Sequence, residues 1–243
     1  MRRRGDRREA FEERKAPPER PDGSDRPIPP HGSRPLRVPI AREGWPFLAA
    51  AIVAAAAALL AGISVLAILA FLIFLFLLQF FRDPERSPAG GEEMIVSPAD
   101  GTILSVDSAP EAPPGAARRI SIFMSVFNCH VNRAPITGRL SHYAYHPGRK
   151  MAAFDEKASA ENEQNRITIE GARGAITFKQ IAGALARRIV FRPKPGDPLR
   201  RGERIGMIKF GSRVDLFAPD GTEILVRRGD KVHAGETPLA RWP

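Results

Sequence analysis

Glu223-Ile224-Leu225-Val226-Arg227-Arg228-Gly229-Asp230-Lys231-Val232-His233-Ala234-Gly235-Glu236-Thr237-Pro238-Leu239-Ala240 decides how this chain folds. Short apolar runs alternate here with Gly- and Asp-bearing turns, and the glycines suit turns that need positive φ. Working outward, the same pattern recurs at Met94 to Val96, Thr102 to Val106, Ile120 to Val126, Arg139 to Tyr145 and Arg166 to Ile169. It continues at Ala175 to Ile181, Arg204 to Phe210, Val214 to Phe217 and Glu223 to Val226. Runs this short, spaced by Gly, Pro and Asp, predict a mainly β, mostly antiparallel fold. Met151 to Asn165 is more polar and reads as a loop with a helical turn.

The chain of 243 residues has room for one ordinary domain plus appendages. Its single cysteine, Cys129, excludes an internal disulfide framework, as expected for a domain in a reducing compartment. A net charge of +10 calls for an anionic partner, nucleic acid or acidic lipid. Gly44 to Phe81 decides between them, because these 38 residues carry no charged side chain. As one helix they would extend about 57 Å, nearly twice the roughly 30 Å hydrocarbon core of a bilayer. Two short membrane helices, Phe47 to Ala61 and Val65 to Phe81, bent at Gly62-Ile63-Ser64, fit better. No nucleic-acid motif or aromatic-interleaved basic face accompanies the charge. Residues 1–43 hold eight prolines, 12 Lys/Arg and 8 Asp/Glu, and read as a disordered, basic tail. Basic residues on both sides of a hairpin place both flanks in the cytoplasm, with Trp45 as an interfacial anchor. The expected organisation is therefore a tail (1–43), a membrane hairpin (44–81) and a catalytic domain (82–243) on the cytoplasmic side of a cell (inner) membrane.

Two resemblances extend these expectations. Glu223 to Ala240 resembles the closing hairpin of biotinyl/lipoyl-type domains, and Ser97-Pro98-Ala99-Asp100-Gly101-Thr102-Ile103 their opening strand, which implies a barrel-sandwich-like core. Four ordered blocks also resemble the short, bacterial form of phosphatidylserine decarboxylase. These are Phe81 to Arg86, Ser97 to Gly101, Phe127-Asn128-Cys129-His130-Val131-Asn132-Arg133-Ala134-Pro135, and Phe210-Gly211-Ser212-Arg213, with Asp155 to Asn165 as a further match.

The family resemblance implies a proenzyme that cuts itself between Gly211 and Ser212 into a β chain (1–211) and an α chain (212–243), which stay together as a heterodimer. The Ser212 hydroxyl attacks the preceding carbonyl to give an ester. Elimination and hydrolysis then leave a pyruvoyl cofactor in place of Ser212, able to form a Schiff base with phosphatidylserine in an anionic membrane. The products are phosphatidylethanolamine and carbon dioxide. Serine needs a neighbouring base to act as a nucleophile. His130 is the first choice for proton transfer and Asp100 the residue to orient it. Longer family members carry a second histidine where this chain has Arg133, so His142 and His146 stay open as the activating base. Arg187-Arg188, Arg192/Lys194 and Arg200-Arg201 could meet lipid phosphates or solvent.

Two other classes compete. A membrane-anchored biotinyl/lipoyl-like carrier or adaptor would share the hairpin and anchor, with Lys209 as its nearest carrier lysine. A zinc hydrolase would use Asp100, His130, His142 and His146, although a strand between the last two sets them badly for joint ligation. The decarboxylase itself calls for no metal.

Overall fold

The computed structural model describes residues 39–108, 115–149, 151–153, 155, 158–184, 189–209 and 211–243. Most of the expected tail, the Arg187-Arg188 pair and Phe210 lie outside these residues.

After a short 3-10 turn at Arg42–Gly44, two apolar helices follow, α1 (Trp45–Leu60) and α2 (Ser64–Phe80). Pro46 sits in the first turn of α1, where its missing N–H costs nothing. The helix stops in a left-handed Gly62 (φ +72°): Gly62 N–H donates to Leu59 O (3.0 Å) and Ile63 N–H to Ala58 O (2.9 Å). This pair of bonds is a Schellman stop, which glycine permits without steric cost. The helices pack through small residues, Ala51 and Ala58 on α1 and Ala67 and Ala70 on α2. The segments flanking them meet: Ile40 bridges Arg82 antiparallel, Ala41 N–H donates to Phe81 O (2.8 Å), and Phe47 stacks on Phe81.

The rest is mainly β. In chain order the strands are β1 (Met94–Val96), β2 (Gly101–Ser108), β3 (Ala116–Met124), β4 (Val131–Arg133), β5 (Gly138–His146), β6 (Gln164–Gly171) and β7 (Gly174–Ala182). They continue with β8 (Ile189–Phe191), β9 (Pro198–Leu199), β10 (Arg204–Ile208), β11 (Ser212–Pro219), β12 (Glu223–Ile224), β13 (Lys231–Val232) and β14 (Pro238–Arg241). A curled eight-stranded sheet runs β13-β2-β3-β11-β7-β6-β5-β9, and two three-stranded sheets run β1-β14-β12 and β4-β10-β8. One helical turn, α3 (Ala158–Glu161), interrupts the polar stretch before β6, as its sequence predicts.

Met94 to Val96 becomes a strand with its predicted bounds, and every other predicted run becomes a strand with one or both ends shifted. Ile120 to Val126 stops at Met124, because the Asn128 side chain accepts bonds from the Ser125 N–H (2.9 Å) and hydroxyl (2.8 Å) and closes a turn. Arg204 to Phe210 stops at Ile208. β4, β8, β9, β13 and β14 were not expected as separate strands; at two to four residues they are too short for alternation to register.

The closing segment divides between sheets. β12 and β14 pair with each other, while β13 joins β2 at Lys231↔Thr102. The main core holds Ile103, Ile120, Ile122, Met124, Ile167, Phe178, Val214 and Leu216 between these layers. A second cluster, with Phe80, Phe81, Cys129, Val131 and Met207, joins the ends of the helices to β4 and β10.

Candidate active site

Ser212 is the first residue of β11 and is fully buried. It lies opposite Met124 of β3 on one side and Ala182 of β7 on the other, so the strand it opens is held along both edges. Its Oγ is 3.2 Å from Met124 Sδ, a weak acceptor, and this is its one hydrogen bond among the described residues. Just before it, Gly211 adopts φ +55° with nothing within 4 Å of where a Cβ would stand. The requirement for glycine there is conformational, because a left-handed turn costs an ordinary residue about 1–2 kcal/mol. The Gly211 carbonyl accepts a bond from Gly183 N–H at 3.1 Å.

From Met124 a buried polar chain leads outward. Asn132 Nδ2 lies 3.8 Å from Met124 Sδ, and Asn132 Oδ1 accepts from Gln180 Nε2 (2.7 Å). Gln180 Oε1 accepts from Asn165 Nδ2 (3.3 Å), and Asn165 Oδ1 from the Tyr143 hydroxyl (3.2 Å). On the opposite face of β11, Arg213 and Asp215 pair at 2.6 Å, and Asp215 accepts from the Ser159 hydroxyl, also at 2.6 Å. That link ties the Asp155 to Asn165 stretch to the strand that begins at Ser212.

His130 is fully buried just before β4. Its ring lies against Phe80 at the end of α2, with centroids 4.2 Å apart. Nδ1 is 2.9 Å from the Asn128 carbonyl oxygen, which can only accept, so Nδ1 carries the proton. Nε2 is then a bare acceptor, buried and without a hydrogen-bond partner among the described residues. Burial pushes the imidazole pKa down to about 4, against smaller upward pulls from the Asn128 carbonyl and the Asp100 charge. The ring is neutral at physiological pH.

Asp100 is buried too, but it is engaged elsewhere. Arg86 holds Oδ2 at 2.9 Å, Ala234 N–H donates to Oδ1 at 2.8 Å, and His233 Nδ1 stands 3.7 Å away. The structure thus brings Asp100 into electrostatic reach of His130, while the Asn128 carbonyl makes the orienting contact. No hydrogen bond joins His130 to Ser212 among the described residues. His142 and His146 lie on β5 in the β-sheet, as the strand reading of Tyr143-Ala144-Tyr145 requires. No group of three or more His, Cys, Asp or Glu among the described residues is arranged to hold a metal. Lys209 is not at a hairpin tip; its ammonium sits 5.2 Å over the Phe47 ring. Of the basic clusters, Arg192 pairs with Glu43 at 2.6 Å, and Arg201 donates to the carbonyls of Gly90, Gly91 and Met94.

Arg133, at the position where a second histidine was sought, is a structural cation. Only 1% exposed, it donates to Gly202 O (2.9 Å), Pro84 O (2.7 Å) and Asp83 Oδ1 (3.2 Å). Asp83 also receives Arg204 Nε at 2.6 Å. The segment that leaves α2 is thereby locked to β4 and β10, next to His130. Arg133→Ala takes one donor from the Asp83 carboxylate, which keeps Arg204, and one each from the Pro84 and Gly202 carbonyls, and a loss of about 1–3 kcal/mol is expected. Urea unfolding of the detergent-solubilised chain measures it. A midpoint equal to that of the parent chain is incompatible with this role.

Sequence reasoning missed Gly183, Met124, Gln180, Asn128 and Phe80. Asn128 and Asn132 lie inside the quoted block around His130, which was the available signal. Phe80 meets His130 across 50 positions of chain, and nothing local announces that contact.

Fold and site define a mainly β protein with a serine opening a buried strand and an apolar helix end covering a buried imidazole; its relatives are decarboxylase proenzymes. A family model described as Phosphatidylserine decarboxylase matches residues 73–240. A phosphatidylserine decarboxylase proenzyme of Geotalea uraniireducens is 46% identical over 208 residues, covering 84% of this chain and 97% of the relative. One from Azorhizobium caulinodans is 47% identical, covering 84% and 90%, and one from Ruegeria pomeroyi is 54% identical, covering 66% and 76%. The chain belongs to the phosphatidylserine decarboxylase family.

Proposed function

We propose that this chain cleaves itself between Gly211 and Ser212 and then decarboxylates phosphatidylserine to phosphatidylethanolamine. The observation that carries the proposal is the placement of Ser212: buried, at the head of a doubly paired strand, directly after a left-handed glycine. Ser212 attacks the Gly211 carbonyl to give an ester, and elimination frees the Gly211 carboxylate. Hydrolysis then releases ammonia and leaves the pyruvoyl group. The site fits that group: β11 keeps its new N-terminus paired to β3 and β7, in apolar surroundings, while the open space around Gly211 admits the departing end. The pyruvoyl carbonyl supplies the electron sink for loss of carbon dioxide.

The protein's own groups do the remaining work. His130 Nε2 is the proton acceptor, kept neutral by burial beside Phe80 and kept in one tautomer by Asn128. Asp100 stabilises charge on the imidazole from a distance and fixes Arg86. Residues 1–211 and 212–243 stay associated because β11 pairs with β3 and β7, β13 with β2 and β14 with β1. The pairing of 97–103 with 229–237, through bonds such as Gly235 N–H to Ser97 O (2.7 Å) and Ile103 N–H to Asp230 O (2.9 Å), supports the barrel-sandwich relationship.

The two helices form the membrane hairpin. At 16 and 17 residues they extend about 24 and 26 Å, each somewhat short of a bilayer core. With the preceding turn, Arg42–Leu60 is long and apolar enough to cross. Leu60 and Val65 are 91% and 80% exposed, which water tolerates poorly and lipid does not penalise. The Ile40–Arg82 bridge brings both flanks to one side, and the basic balance makes that side cytoplasmic.

Mass spectrometry of the chain expressed into membranes tests the cleavage. The expected result is a piece running from position 212 to Pro243 that is lighter, by one ammonia, than the same piece with an N-terminal serine. A single intact chain of 26.6 kDa contradicts the proposal.

A further inference from the structure

Self-cleavage needs a donor for the oxygen on which charge develops. We infer that the Gly183 backbone N–H is that oxyanion donor, an inference that rests on the proposed cleavage at Gly211-Ser212. In the first step the Ser212 oxygen forms a bond to the Gly211 carbonyl carbon while the hydroxyl proton passes to a base. The carbonyl π electrons move onto the Gly211 oxygen. Collapse of this species breaks the carbon–nitrogen bond, the Ser212 nitrogen takes up a proton, and an ester results with no external reactant.

Gly183 N–H already points at that oxygen, 3.1 Å away. It extends the β7–β11 ladder one step past Ala182↔Ser212, so strand pairing fixes its position before any chemistry occurs. A Cβ on Gly183 would collide with the Gly211 carbonyl oxygen, so the approach is open only to glycine. The peptide group that carries this N–H is itself polarised. Its oxygen, Ala182 O, accepts from Asn162 Nδ2 at 2.7 Å, and an amide that accepts strongly also donates more strongly. Asn162 is 1% exposed and is held by Met151, whose N–H donates to Asn162 Oδ1 (3.0 Å) and whose carbonyl accepts from Nδ2 (2.9 Å). Ala182 N–H donates to Glu163 O at 2.9 Å, so the end of β7 is anchored independently. As negative charge builds on the Gly211 oxygen, the bond becomes charge-assisted in a water-poor setting and strengthens where the barrier is highest.

The test removes the donor without changing its size. Glycolic acid is incorporated at position 183 during cell-free synthesis of the full chain into liposomes, which replaces the N–H with an ester oxygen. Cleavage is followed by gel and mass against the unmodified chain, and Ser212→Ala supplies the folded, uncleaved reference for protease resistance. The expected result is a protease-resistant chain that cleaves about 100-fold more slowly or worse. Gly183→Ala, whose methyl displaces the scissile carbonyl, is expected to slow in the same way. Hydroxylamine opens the ester intermediate but would also cut the backbone ester at position 183, so it is applied to Gly183→Ala alone, where it does not restore the rate, because the step before the ester has slowed. Cleavage by either variant at close to the unmodified rate, or rescue of Gly183→Ala by hydroxylamine, overturns the inference. If the unmodified chain also stays whole, the proposed cleavage falls; if only the variants keep pace with it, Gly183 alone is wrong.

Discussion

Ser212→Ala yields one uncleaved chain of about 26.6 kDa with no decarboxylase activity. The side chain contributes little to the fold, since among the described residues its hydroxyl meets only the Met124 thioether, and neighbouring Val214 and Leu216 carry the packing of β11. Removing the oxygen therefore leaves both ladders in place, and the loss is chemical. Alanine has no nucleophile to attack Gly211, no ester can form, and no carbonyl group can replace the residue. The two readouts must be taken separately, by mass for cleavage and by release of carbon dioxide from phosphatidylserine vesicles for turnover. A cleaved Ser212→Ala chain places the nucleophile elsewhere. An uncleaved chain with full turnover removes the link between processing and activity.

The parts of this protein that were legible in the sequence are those governed by local rules. Gly62 marked the break between the helices because only a left-handed residue closes α1 with both of its bonds made. Most of the large sheet followed from alternation between turns. The shortest strands escaped because two residues, such as Lys231-Val232, carry no period. At the site, Ser212, Asp100 and His130 were named from ordered blocks, yet their partners were not. Asp100 meets Arg86 and Ala234, and His130 meets Phe80 and Asn128. Such contacts depend on how the sheets stack and where the helices dock, which composition does not encode. Arg133 shows the same limit from the other direction. A family comparison marked it as a missing base, whereas burial against Asp83, Pro84 and Gly202 makes it a clamp on the linker from α2.

His130→Ala is expected to slow self-cleavage by about 100- to 10,000-fold, the range that loss of a positioned base costs. The pH dependence carries more information than the loss. An ordinary histidine, with a pKa near 6.5, loses its basic form as pH falls through that value. Here burial lowers the pKa to about 4, with Arg82 pulling it down further and the Asn128 carbonyl and Asp100 pulling it up. Nε2 therefore stays unprotonated across the neutral and mildly acidic range. Cleavage of the parent chain should be nearly flat from pH 8 to about pH 5 and fall only towards pH 4. The linkage to stability has the same sign. Because the folded pKa lies below the unfolded one, the neutral ring's contribution is complete above about pH 6.5 and is lost on acidification, by roughly 3 kcal/mol near pH 4. Phe80→Ala opens the ring to water, so the pKa rises and the acid limb of the cleavage profile moves up towards pH 6.5. That shift separates a protonation role from a packing role, since a mere packing defect lowers the rate at every pH without moving the limb. A His130→Ala chain that processes at the parent rate removes His130 from the mechanism, and an unmoved limb in Phe80→Ala removes the helix end from control of its charge.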